Sequence, residues 1–360
     1  MTTSRIAGTV RVVGAGLLGA SVGLGLRAKG VDVVLHDASR ANLRLAIDYG
    51  AGRAAAEGDK PVLVVVAVPP DAAAEVIEAE LAAWPQATVT DVASVKSGIR
   101  SDLQAAGAEL DRYIGSHPLA GRERGGAIAA RADLFLGRPW VITEGPMARR
   151  RLVEDLVLDL GAVPVQLNAR EHDDAVALIS HAPQVVASLL ARRLRGAPEE
   201  AVALAGGGLR DTTRIAASDP ELWVQILDAN AAPVAGILRE LRGDLDDVLA
   251  ALEDPAAPGA RRAIAEQLAG GNAGVARIPG KHGQSKQFAQ IIVMVDDRPG
   301  ELARLLAEIG EVGVNLEDLR LEHSPGAQIG LAEIAVLPEV EQRLVTELES
   351  RGWTIAGAFS

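Results

Sequence analysis

The chain has 360 residues, more than one domain usually holds, so two or three compact units are expected. Hydrophobic residues make up 48% and charged residues 23%, a balance that excludes a disordered chain, and with aromatics at 2% the core has to be built from Ala, Val, Leu and Ile. The net charge of -12 argues against nucleic acid as a partner, and zero cysteines exclude a disulfide scaffold, iron–sulfur ligation and a thiol nucleophile.

From the N-terminus, the apolar stretch 12–26 is broken by glycines and too short to cross a bilayer, and no targeting pattern precedes it. A cytoplasmic chain with no membrane partner is the expectation. Residues 9–13, 31–35, 62–68 and 87–91 are continuous and Val-rich, the texture of parallel strands covered on both faces. Helix-period segments start near Leu17, Arg40, Asp71 and Ser97, with Gly30 placed to stop the first. That rhythm predicts an α/β fold whose N-terminal part is a Rossmann-type doubly wound sheet. Residues 113–116 and 140–143 are predicted to extend the sheet, and 163–167 to close the domain. From Arg170 the pattern turns helical, over 171–195, 199–207, 221–231 and 233–252. Such a block after a nucleotide-binding unit reads as an all-helical substrate and dimerisation domain. Residues 254–279 are rich in Ala, Gly, Pro and Arg and read as a linker carrying one short helix. The remainder gives strand 288–295, helix 300–310, strands 315–322 and 328–337, helix 340–351 and strand 353–356, a ferredoxin-like βαββαβ module. The predicted domains are 1–168, 169–275 and 284–360.

The strongest local signal is Gly14-Ala15-Gly16-Leu17-Leu18-Gly19, lying between a predicted strand and a predicted helix. There the first glycine permits a tight turn, the second lets a pyrophosphate approach the backbone, and the third lets helix and strand pack closely. Asp37 ends the second strand, 21 residues after Gly16, where a carboxylate can bond both ribose hydroxyls. Together they predict a bound dinucleotide, NAD before NADP because an acid there repels a 2′-phosphate, although the nearby Arg40 leaves NADP open. The bland alternative is a structural glycine turn with a strand-end acid.

Two further segments sit where later strands end: Asp91-Val92-Ala93-Ser94-Val95-Lys96, and Gly115-Ser116-His117-Pro118-Leu119-Ala120-Gly121. Ligands of doubly wound sheets bind beyond the carboxyl ends of strands, so Ser94 and His117 are placed towards the nicotinamide. The alternatives are a loop histidine at 117, a helix-cap residue at 94 and a surface residue at Lys96. Arg210 and Arg214 are four apart, so on a helix they share a face, and a guanidinium suits a carboxylate-bearing substrate. The alternative is a surface pair held by Asp211. On the first long helix, His172 reads as an exposed helix-start residue and His181, next to Pro183, as the better site candidate. The six histidines show no metal-ligand spacing, so no metal is expected.

These segments occur in one order that resembles the prephenate/arogenate dehydrogenase family of tyrosine biosynthesis, followed by an ACT domain. The resemblance runs through the glycine fingerprint, Asp91 to Lys96, His117 to Gly121 with Glu123, Ser180-His181, Arg210 to Arg214, and Ser218 to Trp223. Asp297-Arg298-Pro299-Gly300-Glu301-Leu302 and Gly313-Val314-Asn315 are similar to the ACT ligand loops. The resemblance implies NAD-dependent oxidative decarboxylation of prephenate to 4-hydroxyphenylpyruvate, with arogenate as the alternative substrate, in a homodimer whose ACT domain takes tyrosine as effector. It implies His117 as the base, Ser94 as the residue that bonds the substrate hydroxyl and helps hold His117, and Arg214 as the carboxylate anchor. Arg210 and Trp223 then line the site, His181 lies near the substrate's side chain or ring carboxylate, and Glu123 is a gating or polar-network residue. One position departs from the family pattern: Gln184 stands where a second histidine is frequent. A β-hydroxyacid dehydrogenase shares the layout, but the His117 and Arg214 segments argue against it. A non-catalytic sensor of NAD and amino acid is the alternative from another class.

Overall fold

The computed structural model describes residues 4–121, 125–278, 288–323 and 329–359. In chain order the elements are β1 (Thr9–Val13), α1 (Leu17–Arg27), β2 (Val33–His36), α2 (Arg40–Asp48), β3 (Arg53–Ala54), β4 (Pro61–Val66), α3 (Pro70–Ala83), β5 (Thr88–Asp91), α4 (Ser97–Ala105), β6 (Tyr113–Ile114) and β7 (Ser116–Pro118). There follow β8 (Pro139–Ile142), α5 (Met147–Asp159), β9 (Val163–Gln166), α6 (Ala169–Val176), a π-helical segment (Ala177–His181), α7 (Ala182–Arg193), α8 (Glu199–Ala203), α9 (Gly207–Thr213), α10 (Pro220–Ala229), α11 (Ala231–Glu253) and α12 (Ala260–Val275). The last are β10 (Ala289–Asp296), α13 (Glu301–Glu311), β11 (Asp318–His323), β12 (Ile329–Val336), α14 (Pro338–Ser350) and β13 (Thr354–Phe359). They form two compact units, Met1–Ser188 with Ile215–Glu240, and Leu189–Arg214 with Leu241–Ser360.

The first unit is built on a Rossmann-like sheet of six strands in the order β3-β2-β1-β4-β5-β6, every pair parallel. Alternation sends the two sides of each strand into different cores. Val10, Val12, Val33, Leu35, Leu63 and Val65 pack with Val22 and Leu26 of α1. Val13, Val64, Val66 and Val89 pack with Ile77 and Leu81 of α3 and Ile99 and Leu103 of α4. Both faces are thus dry, which is why the strands carry uninterrupted β-branched runs. Gly30 ends the α1 turn at φ 82°, its N–H meeting the Arg27 carbonyl at 2.9 Å.

Residues 113–116 do not form one strand. The chain turns at Gly115, where a Cβ would come within 2.9 Å of Thr143 Oγ1 and 3.2 Å of Lys96 Cδ. At the next residue, the Ser116 hydroxyl donates to the Asp91 carbonyl at 2.6 Å and accepts from Trp140 Nε1 at 3.0 Å. Anchored in this way, β7 leaves the parallel sheet. It pairs antiparallel with β8, and β8 pairs parallel with β9, giving a separate three-stranded sheet. Residues 140–143 therefore do not extend the large sheet as the sequence suggests, and residues 163–166 pair with them in the small one.

The single helix expected over 171–195 is interrupted by the π-helical segment Ala177–His181. Pro183 lacks an N–H and its ring crowds the preceding turn, which the wider π turn accommodates. The whole helical run Ala169–Gly196 is long and apolar enough to cross a membrane by composition. Within the first unit it carries the buried polar residues His172, Asp173 and His181, while Leu178 and Ile179 beside them are exposed. The segment 254–279, expected as a linker carrying one short helix, holds the longer, 16-residue α12. Gly259 at φ 93° sets its start, and the Ala, Arg, Glu, Gln and Leu that follow outweigh its internal glycines.

In the second unit, the C-terminal elements run βαββαβ in an antiparallel sheet of order β11-β12-β10-β13. Leu305 and Ile309 of α13 and Leu344 and Leu348 of α14 cover one face of it together with Ile291, Val293 and Ile334. The Arg304 guanidinium lies 4.0 Å over the Trp353 ring, whose indole N–H donates to Glu308 at 2.7 Å.

Candidate active site and cofactor cradle

The turn between β1 and α1 shows why each glycine is there. Gly14 sits at φ 99°, and a Cβ on it would lie 2.3 Å from the Ala67 carbonyl oxygen. A Cβ on Gly19 would lie 1.9 Å from the Gly14 oxygen, so both positions demand glycine for packing alone. Gly16 differs: nothing lies within 4 Å of its hypothetical Cβ. That open space faces the start of α1, whose N-cap is Gly16 itself and has no side-chain cap. Leu17 and Leu18 open the helix partly buried, leaving their N–H groups as donors to an anion. Asp37 accepts from Ala15 N–H and Ser39 N–H, both at 2.7 Å, and so ties the turn to the end of β2. These residues fit a dinucleotide pyrophosphate, with the Asp37 carboxylate at the ribose end.

Along the same carboxyl edge of the sheet, β5 ends at Asp91, and the segment after β6 carries His117. The nitrogen Nδ1 of His117 is 2.8 Å from Nε2 of His172, and the two rings meet edge-on, their centroids 5.1 Å apart. On its other side, His172 Nδ1 is 2.8 Å from Asp173 Oδ1. Asp173 is itself fixed, for its oxygens accept from Lys96 N–H and Ser97 N–H at 2.8 Å each and so cap the start of α4. Asn230 donates through Nδ2 to the Asp173 carbonyl at 2.8 Å, and the same nitrogen lies 3.0 Å from His181 Nδ1. The far side of His181 meets Trp223 edge-on, with centroids 6.0 Å apart. One connected polar cluster thus holds His117, His172, Asp173, Asn230 and His181.

Several expectations need correction. His172 is fully buried, not an exposed helix-start residue. The helix begins earlier, at a capping box in which Asn168 accepts from Glu171 N–H at 2.8 Å and Glu171 accepts from Asn168 N–H at 3.0 Å. That start turns residue 172 inward, and the Asn-x-x-Glu spelling was its legible signal. Lys96 is not a surface residue: it is 1% exposed and ion-paired with Asp91, which also accepts from Tyr113 OH at 2.8 Å. Ser94 is partly buried and makes no hydrogen bond among the described residues, so His172 and not Ser94 steadies His117. Sequence reasoning missed His172, Asp173 and Asn230 as site residues. Gln184 is buried on α7. Arg210 on α9 and Arg214 at its end belong to the second unit. Both are exposed, and Asp211 does not pair with either among the described residues. Glu123 lies outside the described residues.

Burial pushes the His117 imidazole well below its ordinary pKa, and the neighbouring His172, Lys96 and His181 add to the effect. Desolvation, then His172, takes His181 down to about 4. Burial pushes Asp173 up, but hydrogen bonds from His172 and Ser97 outweigh it and hold the carboxyl below the usual range. Desolvation lowers Lys96 against the opposing pull of Asp91. At neutral pH both site imidazoles are therefore uncharged beside a fixed carboxylate. The folded chain leaves His181 unprotonated between its ordinary 6.5 and about 4, whereas the unfolded chain protonates it there. Stability consequently falls as the pH drops through that window, by about 2 kcal/mol at pH 5 from this group alone. Urea unfolding at pH 7 and pH 5 measures the loss, and a His181→Gln variant is expected to show a smaller pH dependence. Identical dependence in the two proteins would show that His181 is not held neutral.

Comparison with known proteins agrees with this geometry. Residues 22–166 match the family model described as prephenate dehydrogenase, nucleotide-binding domain, and residues 168–266 match prephenate dehydrogenase, dimerization domain. A Streptomyces niveus protein named "Probable prephenate dehydrogenase NovF" is 38% identical over 360 residues, covering 96% of this chain and 98% of that protein. Among solved structures, the Aquifex aeolicus prephenate dehydrogenase in complex with hydroxyphenyl propionate and NAD+ superposes with a TM-score of 0.66 at 26% identity, over 76% of this chain and 100% of that one. Synechocystis arogenate dehydrogenase gives a TM-score of 0.62 at 26% identity, over 74% of this chain and 99% of that one. With both family models matched and a relative aligned along nearly its whole length, the chain belongs to the prephenate dehydrogenase family.

Proposed function

We propose that the chain oxidises prephenate to 4-hydroxyphenylpyruvate with loss of carbon dioxide, using NAD. The observation that carries this reading is an uncharged imidazole, His117, with its Nδ1 committed to His172, beyond the same sheet edge as the glycine cradle. The Gly14, Gly16 and Gly19 turn with Leu17 and Leu18 holds the dinucleotide, and Asp37 favours NAD over NADP. Bound NAD supplies the acceptor for the hydride that leaves the hydroxyl-bearing ring carbon. His117 Nε2 takes the hydroxyl proton as that carbon becomes a carbonyl. The bond between the ring and its carboxylate then breaks, carbon dioxide leaves, and the freed pair enters the ring. His117 returns its proton to the phenolate oxygen, so the base ends as it began. The aromatic product makes the sequence one-way.

Ser94 is read as a partner of the substrate hydroxyl, and His181 as a contact to the side chain or ring carboxylate. Trp223 and Arg210 are read as lining residues, Arg214 as the carboxylate anchor, and Glu123 as a member of the polar network. The support for Arg214 is the family resemblance together with an exposed guanidinium that no carboxylate engages among the described residues. An Arg214→Gln enzyme is expected to show a KM for prephenate raised at least tenfold, roughly the loss of one charged hydrogen bond, with kcat changed far less. Steady-state kinetics checks this, and an unchanged KM would leave Arg214 without that role.

The three-part division 1–168, 169–275 and 284–360 accompanies this reading. The βαββαβ module is taken as an ACT domain with tyrosine as effector. Its turn glycines Gly300, at φ 95°, and Gly313, at φ 74°, fall in the two loops that resemble the ACT pattern. Homodimerisation is assigned to the helical domain, where Leu241, Leu245, Leu249 and Leu252 of α11 are exposed. The cytoplasm is the compartment proposed.

The test follows NADH or NADPH absorbance with prephenate and with arogenate, against NAD and NADP, with and without tyrosine. Prephenate with NAD is expected to be turned over fastest, and tyrosine to slow it. Faster turnover of arogenate would make tyrosine the direct product. Cofactor binding without reduction by either substrate would point to a sensor and overturn the proposal.

A further inference from the structure

We propose that Asp173 and Asn230 set the two site imidazoles as opposite tautomers, His117 offering a bare Nε2 that accepts a proton and His181 an Nε2–H that donates to a substrate oxygen. This rests on the reading above and assigns His172, Asp173 and Asn230 as positioning residues.

The assignment follows from which atoms can donate. A carboxylate only accepts, so His172 must carry its proton on Nδ1, 2.8 Å from Asp173 Oδ1. A ring that carries its one proton on Nδ1 has a bare Nε2, and its neighbour His117 Nδ1, at 2.8 Å, is then the donor. The lone pair of His117 is thereby placed on Nε2. Asp173 cannot swing away to permit the reverse, because two backbone N–H groups at the start of α4 hold its oxygens.

The second half of the argument runs through an amide. The Asp173 carbonyl oxygen only accepts, so it is the Asn230 nitrogen that faces it at 2.8 Å. Flipping the amide would set two oxygens against each other. The same nitrogen lies 3.0 Å from His181 Nδ1 and has no lone pair to offer, so His181 accepts there and carries its proton on Nε2. Asp173 thus fixes one imidazole through its side chain and, by way of Asn230, the other through its main chain. When His117 takes the substrate proton, its Nδ1–H still points at His172, which leans on the carboxylate. The imidazolium is stabilised without His172 touching the substrate.

The resting tautomers can be read without turnover, by 15N NMR of histidine-labelled enzyme. The expected spectrum has the proton on Nδ1 of His117 and on Nε2 of His181, with assignments made from His117→Asn and His181→Gln. In His172→Phe, His117 loses its acceptor, and kcat is expected to fall on the order of 10²-fold with KM changed less than about threefold. His172→Gln keeps an amide oxygen that can accept from His117 Nδ1–H, and it is expected to recover most of that loss. A wild-type spectrum with the proton on His117 Nε2 would overturn the proposal, as would equal kcat in the Phe and Gln variants. An enzyme that shows both tautomers yet turns over no cyclohexadienol would instead fail the substrate reading alone.

Discussion

A His117→Asn enzyme is expected to retain its fold and its affinity for NAD while losing roughly 10²–10⁴ in turnover, the span that removal of a positioned general base usually gives. Asparagine preserves a polar group of similar length but has no basic nitrogen, so the substrate hydroxyl must give its proton to water. Within the cluster the imidazole is poised for this task. Burial, with His172, Lys96 and His181 adding to it, keeps the imidazole uncharged, and His172 fixes its Nδ1. The loss should appear in kcat with prephenate, followed by NADH absorbance, while NAD binding followed by fluorescence stays near the wild-type value. Near-native turnover in this variant would remove His117 from the role of base.

A Lys96→Met variant is expected to lose about 3–5 kcal/mol of stability, because one partner of a fully desolvated ion pair is removed and the other stays behind. At roughly 2–4 °C per kcal/mol for a domain of this size, the melting transition of the first unit should drop by about 10 °C. Lys96 is 1% exposed and Asp91 fully buried, so neither can turn to water. Tyr113 OH and Ser116 N–H would still donate to Asp91, at 2.8 and 3.3 Å, but no cation would balance it. Methionine fills the alkyl volume, which isolates the charge from the packing. Differential scanning calorimetry measures the drop, and adding Asp91→Asn to Lys96→Met should restore a good part of it. A melting point within a degree or two of wild type would mean that the pair contributes nothing net.

Local signals carried much of the architecture. The β-branched runs announced the parallel strands because both faces of the sheet are covered, and the glycine spacing announced the cradle because backbone contacts demand it at Gly14 and Gly19. The βαββαβ order of the C-terminal module was legible from turn spacing and alternation. What was hidden depended on how side chains are brought together, by chain turns as well as by partners distant in sequence. Lys96 reads as a surface charge until Asp91 is placed beside it. His172 reads as a helix-start histidine until the capping box at Asn168 sets the phase of α6. Asn230, at the end of α10, has no local pattern that ties it to Asp173 and His181. The second small sheet escaped because the chain's departure at Gly115 is decided by Thr143, Lys96 and Asp91, none of them neighbours along the chain. The length of the helix over residues 260–275 was masked by composition, where the glycines suggested a linker with only a short helix.

Asp173 spans two elements: it belongs to α6, yet its oxygens terminate the first turn of α4. Any drift of one helix against the other would therefore disturb imidazole alignment and helix initiation at the same moment. Conservative replacement should be poorly tolerated on two unrelated counts, and random mutagenesis selected only for soluble expression should already deplete changes there. Selection for activity would sharpen a depletion that folding alone has begun.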